Sequence, residues 1–364
     1  MFGHKRIPSR EGGIEIVVEE LSTRMAARGH EVTCFNRSGH HVSGSDFDTK
    51  RGGEYKGVKL KNVLTINGKG LAAMTSSVSA ALCAALGPFD VVHIHAEGPA
   101  AMCWLPKLFG KRVVVTIHGL DHQRAKWGRL ASRYIMSGEK NAARKADEII
   151  VLSHSVQNYF EKTYGRKTVY IPNGVERAEK KAARLIRERW GLEKDGYVLF
   201  LGRIVPEKGL RYLIEAWAGV ETDKKLVITG GSSDTQLFMD EMKAIAGENV
   251  IFTGFQQGSV LEELYSNAYV YCLPSDLEGM PLSLLEAMSY GNCCLTSDIP
   301  ECTEVTQDKA PRFPRGDVSA LREALQTLCD RPETVEAYRA GAAEHITKKY
   351  NWEEVVDRTI ALYR

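Results

Sequence analysis

The segment from residue 274 to residue 293 constrains the chain most, because it places two acidic side chains around the start of a helix. It reads PSDLEGMPLSLLEAMSYGNC and follows an apolar, strand-like run. Pro281 suits the first turn of a helix, where its missing N–H costs nothing, and Gly291 suits the helix end. The amides of Gly279 and Met280 join the unpaired donors at the positive end of the helix dipole, which favours an anion such as a phosphate.

Glu278 and Glu286 stand on either side of this helix start, with seven residues between them. Glu286 lies roughly 7–8 Å beyond Pro281 along the helix axis. A carboxylate there needs donors, because buried acids are rarely left unpaired, and the two hydroxyls of a ribose would supply them. A single glutamate would more often be half-exposed on an amphipathic helix. The pair across a Gly-x-Pro helix start favours a binding site.

The segment resembles the signature of family 4 retaining glycosyltransferases of the GT-B fold, of the type that builds bacterial cell-surface polysaccharide. The resemblance covers nearly the whole chain. It implies an α/β fold of two doubly wound, parallel-sheet, Rossmann-like domains facing a cleft, with a C-terminal helix that crosses back to the first domain. It also implies that Glu278 contacts hydroxyls of the donor sugar and that Glu286 contacts the nucleotide ribose.

Length and composition agree with a globular protein of two domains. The chain has 364 residues, of which 43% are hydrophobic and 26% charged. No apolar run approaches the roughly 18 residues of a bilayer span, and the N-terminus lacks the pattern of a signal peptide. We therefore expect a cytoplasmic protein. Its eight cysteines are scattered without a Cys-x-x-Cys pair, which is typical of reduced core residues and not of a disulfide framework or zinc site.

Apolar, strand-like runs alternate with helical patterns along the first half, which predicts βαβ units. His118 directly follows the run at 112–117, and ligands of parallel sheets bind beyond the carboxyl ends of the strands. A lone histidine is more often structural, but the resemblance implies that His118 lies beside the transferred sugar. His95 has a weaker claim, because it alternates with His93 on a strand and could simply cap it.

The basic loop before the predicted helix at 14–28 contains Gly12 and Gly13, which let the backbone approach a ligand. A Gly-Gly pair by itself is usually a turn. The resemblance implies that this loop faces the cleft, close to the acceptor and the diphosphate. The family has a full first strand before this loop, whereas only Met1 and Phe2 remain here. We therefore expect a reading frame that begins upstream or a shortened chain, with ladder positions unpaired beside residues 32–36 and 91–95.

Asp46-Phe47-Asp48 imitates the metal-binding Asp-x-Asp of another glycosyltransferase fold. It lies in a Ser/Gly-rich turn region and not at the end of an apolar strand. We interpret it as a coincidence in a loop.

The second half repeats the alternation, with strands predicted near 197–203, 225–230, 250–255, 269–273 and 293–297. Arg203 and Lys208 follow the first of these strands, where they can clamp a diphosphate, Arg by its planar fork and Lys as a point charge. Either cation alone would be read as surface charge. The resemblance assigns both to the phosphates, and it places the nucleotide base near Phe255.

These patterns predict three regions. Residues 1–175 form an acceptor-binding domain, residues 176–348 a nucleotide-sugar-binding domain, and residues 349–364 a helix that packs back on the first domain. The first boundary falls at the turn Asn173-Gly174-Val175. The charge-dense segment 176–190 is expected to begin a new helix.

The predicted function is a retaining glycosyltransferase that moves a sugar from a nucleotide diphosphate sugar to a glycan or lipid-linked sugar. We expect no cofactor and no metal, because Arg203, Lys208 and the helix start at Met280 would neutralise the leaving diphosphate. A transferase acting on a soluble small acceptor, or a non-catalytic nucleotide-sugar-binding module, remains an alternative. An epimerase would need carboxylates placed as acid and base, and a phosphorylase a pyridoxal-binding lysine; neither signal is convincing.

The distribution of charged residues indicates the kind of partner that the first half of the chain binds. Residues 1–175 hold 25 Lys/Arg against 15 Asp/Glu, and the remainder 23 against 31. We expect an acceptor such as a polyprenyl-diphosphate-linked sugar, presented at the anionic inner face of the plasma membrane, and no nucleic-acid partner. Six cations cluster before the predicted helix at 71–86: Lys50, Arg51, Lys56, Lys59, Lys61 and Lys69.

Overall fold

The computed structural model describes residues 1–39, 53–68, 70–123, 128–231 and 236–364. The chain divides into two compact units, one formed by Met1–Asn173 with Trp352–Arg364 and the other by Gly174–Asn351. Both units are α/β with sheets that are mainly parallel, which confirms the predicted fold class. No helix of the described residues is long and apolar enough to cross a membrane.

The first unit consists of mainly parallel strands and the helices that connect them. Its elements are α1 (Gly13–Ala27), β1 (Thr33–Arg37), β2 (Gly53–Tyr55), β3 (Val58–Val63), α2 (Leu71–Leu86), β4 (Val91–His95), α3 (Glu97–Ala100), α4 (Trp104–Leu108), β5 (Arg112–Ile117), α5 (Arg129–Lys145), β6 (Glu148–Val151), α6 (His154–Tyr164) and β7 (Val169–Tyr170). Strands β4 to β7 pair in parallel in chain order, and β3 pairs with β1 in parallel and with β2 in antiparallel. Phe35, Ile94 and Val115 are buried in its core.

The first residues of the chain lie between β1 and β4. The amide of Phe35 donates to the carbonyl of Met1 at 3.0 Å, and the amide of Phe2 donates to the carbonyl of His93 at 3.1 Å. Phe2 also forms a parallel bridge with Ile94. Met1 and Phe2 therefore occupy the position that the sequence assigns to a first strand, and they pair with both neighbours.

The C-terminal segment belongs to the first unit. Helix α16 (Trp352–Ala361) packs on α1, where Arg24 donates to Glu353 at 2.7 Å and Arg28 pairs with Asp357 at 2.5 Å. Beyond the helix, the Tyr363 hydroxyl lies 2.7 Å from Nδ1 of His93 in β4. The C-terminal segment is thus held on the first unit by ion pairs at the surface and by a partly buried hydrogen bond.

The second unit contains one six-stranded parallel sheet. Its elements are α7 (Leu185–Trp190), β8 (Tyr197–Leu201), α8 (Leu210–Trp217), β9 (Lys225–Thr229), α9 (Gln236–Ile245), β10 (Val250–Gly254), α10 (Ser259–Asn267), β11 (Val270–Leu273), α11 (Leu282–Ser289), β12 (Cys293–Ser297), α12 (Pro300–Thr306), β13 (Arg312–Phe313), α13 (Val318–Asp330), α14 (Pro332–Arg339) and α15 (Ala342–Lys349). The strand order is β10-β9-β8-β11-β12-β13. The order reverses between β8 and β11, which makes that gap the topological switch point, where ligands of such sheets bind.

The prediction of a helix beginning at residue 176 is wrong for its first part. The helical residues are Leu185–Trp190 only. The Glu263 carboxylate of α10 accepts from the amides of Arg184 at 2.9 Å and Ile186 at 3.1 Å, and so serves as the N-terminal cap. Further upstream, the Lys181 amide donates to Ser266 of α10 at 2.9 Å. Side chains of α10 thereby take the hydrogen bonds that a longer helix would use.

The signature helix also begins slightly later than the sequence predicts. Pro281 is the residue before the first helical residue, Leu282, and not part of the first turn. Its carbonyl nevertheless accepts from the amides of Leu284 at 3.0 Å and Leu285 at 3.2 Å. At the other end, Gly291 has a φ of 74°, as expected of the glycine that stops a helix.

Two glycines of the second unit have nearly the same backbone conformation but different surroundings. Gly209 has a φ of 67° and a Cβ added to it would lie 1.8 Å from the carbonyl oxygen of Pro274. Gly191 has a φ of 64° and open space around that position.

We expect Gly191→Ala to lower the free energy of unfolding by about 1–2 kcal/mol through backbone strain, and Gly209→Ala to lower it by considerably more. Urea unfolding of both variants, read by circular dichroism, measures the difference; equal losses would contradict the close approach.

Candidate functional site

The predicted donor-binding residues of the second unit follow the two strands that flank its switch point. Arg203 and Lys208 come after β8, and Glu278, Gly279 and Met280 come after β11. Carboxyl ends of parallel strands meet at one edge of the sheet, so residues about seventy positions apart in sequence become neighbours. The structure therefore brings together the two groups that the sequence analysis proposed separately.

A buried ion pair joins the two groups. The Lys208 ammonium lies 2.6 Å from Oε1 of Glu278, and the two side chains are 12% and 8% exposed. The Ser275 hydroxyl donates to the same oxygen at 2.6 Å. Lys208 and Glu278 were predicted to hold different parts of a ligand, the diphosphate and the sugar. The structure shows that each also holds the other in place.

The loop around this pair is fixed by its backbone. After Val205, which has an extended backbone conformation, residues Pro206–Lys208 form a single 3-10 turn. The amide of Asp276 donates to the carbonyl of Glu207 at 2.9 Å, which ties this turn to the loop after β11. Ser297, at the end of β12, donates to the carbonyl of Ser275 at 2.6 Å. Three strand ends are thereby linked directly, which preorganises the position of Glu278.

The start of α11 offers backbone donors beside this pair. Gly279 and Met280 are buried and immediately precede the helix. Among the described residues, the amide of Gly279 donates to no protein acceptor. A buried amide without a protein acceptor carries a cost unless a ligand or water accepts from it. This part of the site is suited to an anion, as the sequence analysis predicts.

Glu286 is held by a tyrosine that the sequence analysis did not identify. The Tyr265 hydroxyl donates to Oε2 of Glu286 at 2.9 Å, and the Tyr265 ring stacks on Tyr290 with centroids 5.2 Å apart. Burial, followed by the nearby charge of Glu286, raises the pKa of Tyr265 well above its ordinary value, so this hydroxyl stays a donor. Glu286 itself is half-buried. No spacing in the sequence links a residue of α10 to one of α11.

Phe255 and Arg203 follow different strands of the six-stranded sheet. Phe255 is half-buried and follows Gly254 at the end of β10, which is the edge strand two places from β8. Arg203 is half-buried and directly follows β8. The order of the strands therefore places Arg203 closer than Phe255 to the loops that carry Lys208 and Glu278.

In the first unit, His118 is one of three histidines at the ends of β4 and β5. Nε2 of His118 lies 3.0 Å from Nδ1 of His95, and the ring of His95 stacks on that of His93 with centroids 4.2 Å apart. His93 in turn contacts the Thr116 hydroxyl at 2.7 Å. His95, which the sequence analysis considered a weak candidate, is thus the direct partner of His118.

Burial fixes the charge state of the two inner histidines. It lowers the pKa of His93 to about 3 and the pKa of His95 well below its ordinary value, so both rings are neutral near pH 7. Nε2 of His95 is buried and has no hydrogen-bond partner among the described residues. A bare ring nitrogen costs less there than an unpaired N–H, which favours the tautomer with the proton on Nδ1. His95 then donates to Nε2 of His118 and leaves the Nδ1 proton of His118 for another acceptor.

The remaining predicted residues of the first unit are Gly12 and Gly13. Gly12 has an extended backbone and caps α1, and Gly13 is the first helical residue. The first turn already contains a buried acid, Glu15, whose carboxylate accepts from the Lys5 amide at 2.8 Å. Part of the positive end of this helix is therefore balanced by the protein itself. Asp46 and Asp48 lie outside the described residues.

Comparison with known proteins agrees with this architecture. Residues 11–179 match the family model Glycosyltransferase Family 4, and residues 183–345 match Glycosyl transferases group 1. Together the two models account for nearly the whole chain. The chain is a GT-B glycosyltransferase.

Individual relatives of this glycosyltransferase are distant. Alpha-D-kanosaminyltransferase from Streptomyces kanamyceticus is 25% identical over 296 residues, which is 75% of this chain and 76% of that protein. Phosphatidyl-myo-inositol mannosyltransferase from Mycobacterium leprae is 28% identical over 288 residues, 76% of this chain and 74% of that protein. The sucrose-phosphate synthase structure from Thermosynechococcus elongatus superposes with a TM-score of 0.82 at 23% identity, covering 97% of this chain and 93% of that chain. The last likeness confirms the fold.

Proposed function

We propose that the glycosyltransferase uses a nucleotide diphosphate sugar as donor and transfers the sugar with retention of configuration to a glycan or lipid-linked acceptor. The observation that carries this proposal is the Lys208–Glu278 pair at the switch point, beside the start of α11. It combines a cation for phosphate, a carboxylate for sugar hydroxyls and backbone donors for an anion. One solved neighbour, HepE of Anabaena, contains UDP and glucose (TM-score 0.80, 15% identity, covering 99% of this chain and 97% of that chain).

The donor's diphosphate gains negative charge as it leaves the sugar. Arg203 and Lys208 would meet this charge together with the amides of Gly279 and Met280. Donors held before the reaction begins stabilise such charge without having to reorganise. We propose that these groups make a catalytic metal and other cofactors unnecessary.

Each carboxylate has a separate role in the proposal. Glu278, with Lys208 and Ser275 on the same oxygen, would accept from hydroxyls of the transferred sugar. Glu286, oriented by Tyr265, would accept from the ribose, with Phe255 near the base. For Gly12, Gly13 and His118 the roles beside the diphosphate and the sugar stay predictions.

Retention follows, in this proposal, from attack on the same face as the departing diphosphate. None of the candidate groups is placed as an obvious nucleophile, because Glu278 is engaged by Lys208. A phosphate oxygen of the leaving group would then help to remove the proton from the acceptor hydroxyl. Anomeric analysis of the product by NMR tests this part, and an inverted product would contradict it.

The main experiment incubates the protein with a panel of nucleotide sugars and measures release of nucleoside diphosphate, with and without EDTA. We expect slow hydrolysis of one donor, unchanged in EDTA. Binding without release for every donor would favour the non-catalytic module. Activity that disappears in EDTA and returns with Mn²⁺ would contradict the proposed metal independence.

The two acids should respond differently to substitution. Glu286→Ala should chiefly raise the KM of the donor, because it removes binding to a part of the substrate that does not react. Glu278→Ala should chiefly lower kcat, because sugar positioning acts on the transition state. Steady-state kinetics separate the two effects.

Glu323→Ala, on the exposed face of α13, is a matched control for these variants. Glu278→Gln keeps the shape of the side chain and shows whether the loss comes from charge. The midpoint of thermal unfolding of each variant must be comparable to that of the wild type, since Glu278→Ala leaves Lys208 without its carboxylate partner. Unchanged kinetics in both acid variants would remove the site assignment.

We further propose that the acceptor is met at an anionic membrane surface, as the charge of the first half predicts. The structure adds an unusual helix to that argument. Helix α2 contains no charged residue, and its small side chains face inward, while five large apolar side chains are 41% to 71% exposed. These five, the α2 stripe, are Leu71, Met74, Val78, Leu82 and Leu86.

The α2 stripe continues onto neighbouring segments. Leu64 and Ile66 are exposed just before the helix, and Trp104, Leu108 and Phe109 are exposed on and after α4, which packs against α2. A concentration of exposed apolar side chains of this kind marks an interaction site. Its composition suits the boundary between lipid headgroups and acyl chains.

Positive charge near the α2 stripe favours a lipid surface over a second copy of the chain. Lys59 and Lys61 lie on β3, which contacts α2, and Lys56 lies in the turn that precedes β3. Lys59 is paired with Glu31 at 2.8 Å, so Lys56 and Lys61 are the better candidates. Lys50, Arg51 and Lys69 lie outside the described residues. Each cation near an anionic bilayer adds about 1 kcal/mol of attraction.

Co-sedimentation with vesicles tests the membrane proposal. We expect the wild type to bind anionic vesicles at low salt and a Val78→Gln/Leu82→Gln variant to lose most of that binding. Neutralising all six cations should remove the salt-dependent part. Leu130→Gln/Leu237→Gln, at exposed leucines elsewhere, is the matched control and should bind like wild type. Equal binding to neutral vesicles, or dimers that form through α2 without vesicle binding, would contradict it.

A further inference from the structure

Two buried glutamates face each other in the first unit because α3 and α5 approach closely. Gly138 makes the approach possible: a Cβ added to it would lie 1.9 Å from the carbonyl oxygen of Glu97. The next residue, Glu139, therefore reaches the side chain of Glu97. Both side chains are fully buried.

Each glutamate uses one oxygen for a fixed donor and turns the other toward His122. Oε2 of Glu97 accepts from the Asp121 amide at 2.8 Å. Oε1 of Glu139 accepts from the Tyr159 hydroxyl at 2.9 Å and also from the Tyr164 hydroxyl. Nδ1 of His122 lies 3.8 Å from Oε1 of Glu97 and 3.1 Å from Oε2 of Glu139. These three atoms have no hydrogen-bond partner among the described residues.

The pair of carboxylates requires a proton or a cation between its facing oxygens. Among the described residues, neither Glu97 nor Glu139 has a lysine or arginine partner. Two negative charges buried this close together are costly unless something compensates them. A shared proton would satisfy the two acids, but it gives no role to the imidazole nitrogen turned to the same point.

We propose that Glu97, His122 and Glu139 bind a divalent cation of the zinc or manganese class. The three facing atoms lie within 4.8 Å of one another, and ligands about 2.1 Å from a tetrahedral ion are about 3.4 Å apart. Two carboxylates and one imidazole are a ligand set that such ions accept, with a fourth position for water. Tyr159, Tyr164 and the Asp121 amide then orient the ligands as outer partners do in metal sites.

The cation would order the loop that carries His118. His122 belongs to the 3-10 turn Asp121–Gln123 and follows the predicted sugar contact, His118, by four residues. Binding would tie this turn to α3 and α5. The site belongs to the first unit, whereas the residues proposed for the donor diphosphate belong to the second. It goes beyond the proposed function, and any effect of EDTA on activity that is absent from His122→Ala would come from this cation and not from a catalytic metal.

Calorimetry with tag-free protein, stripped of metal with EDTA and then exchanged into EDTA-free buffer, tests the proposal directly. Titration with Zn²⁺ and with Mn²⁺ should show one equivalent of binding for at least one of the ions. His122→Ala and Glu139→Gln should each weaken that binding more than tenfold. His30→Ala, an exposed histidine of the same unit, is the matched control and should bind like wild type.

Two further measurements keep the test independent of folding defects. Tyr164→Phe removes one donor to Glu139 and leaves all three ligands, so it should weaken binding by about tenfold. The ion should raise the midpoint of thermal unfolding in wild type and not in His122→Ala. No binding of either ion, or binding that His122→Ala leaves unchanged, would overturn the proposal and favour a proton shared by the two acids. Neither readout depends on transfer activity, so failure here leaves the proposed function untouched.

Discussion

Backbone contacts that only glycine permits hold the strand ends of the second unit together. A Cβ on Gly230 would lie 1.8 Å from the carbonyl oxygen of Gly202, and one on Gly209 would lie 1.8 Å from that of Pro274. The first contact joins the ends of β8 and β9, and the second joins the loops after β8 and β11. Because these loops touch through their backbones, Lys208 can reach Glu278 at 2.6 Å. The candidate site depends on this close approach.

Most of the architecture could be predicted from the sequence, because buried parallel strands are written as continuous apolar runs. Strand β5 and helix α2 have the predicted bounds, and Gly291 ends α11 as expected. The motif residues after β8 and β11 could be placed at one sheet edge from topology alone. Their direct contact could not, since the sequence gives no register between Lys208 and Glu278.

What the sequence missed depends on which side chains the fold brings face to face. Tyr265 and Glu286 are on different helices, and no periodicity connects them. The absence of charge in α2 is plain in the sequence, but only packing shows that its alanines and serines face inward and its leucines outward. Likewise, residues 176–184 carry a helix-like composition, and the Glu263 carboxylate of α10 decides where that helix begins.

The same arrangement occurs in both units: protein donors fix a carboxylate through one of its two oxygens. In Glu278, both Lys208 and Ser275 reach Oε1. In Glu97 and Glu139, backbone or tyrosine donors hold one oxygen while the other faces His122. A buried acid that is only partly satisfied costs stability, so it persists where something else completes its bonding. In our proposals the second unit binds the sugar and the first unit a cation, because a hydroxyl donor completes a carboxylate already paired with lysine, whereas two facing buried carboxylates need a proton or a cation between them.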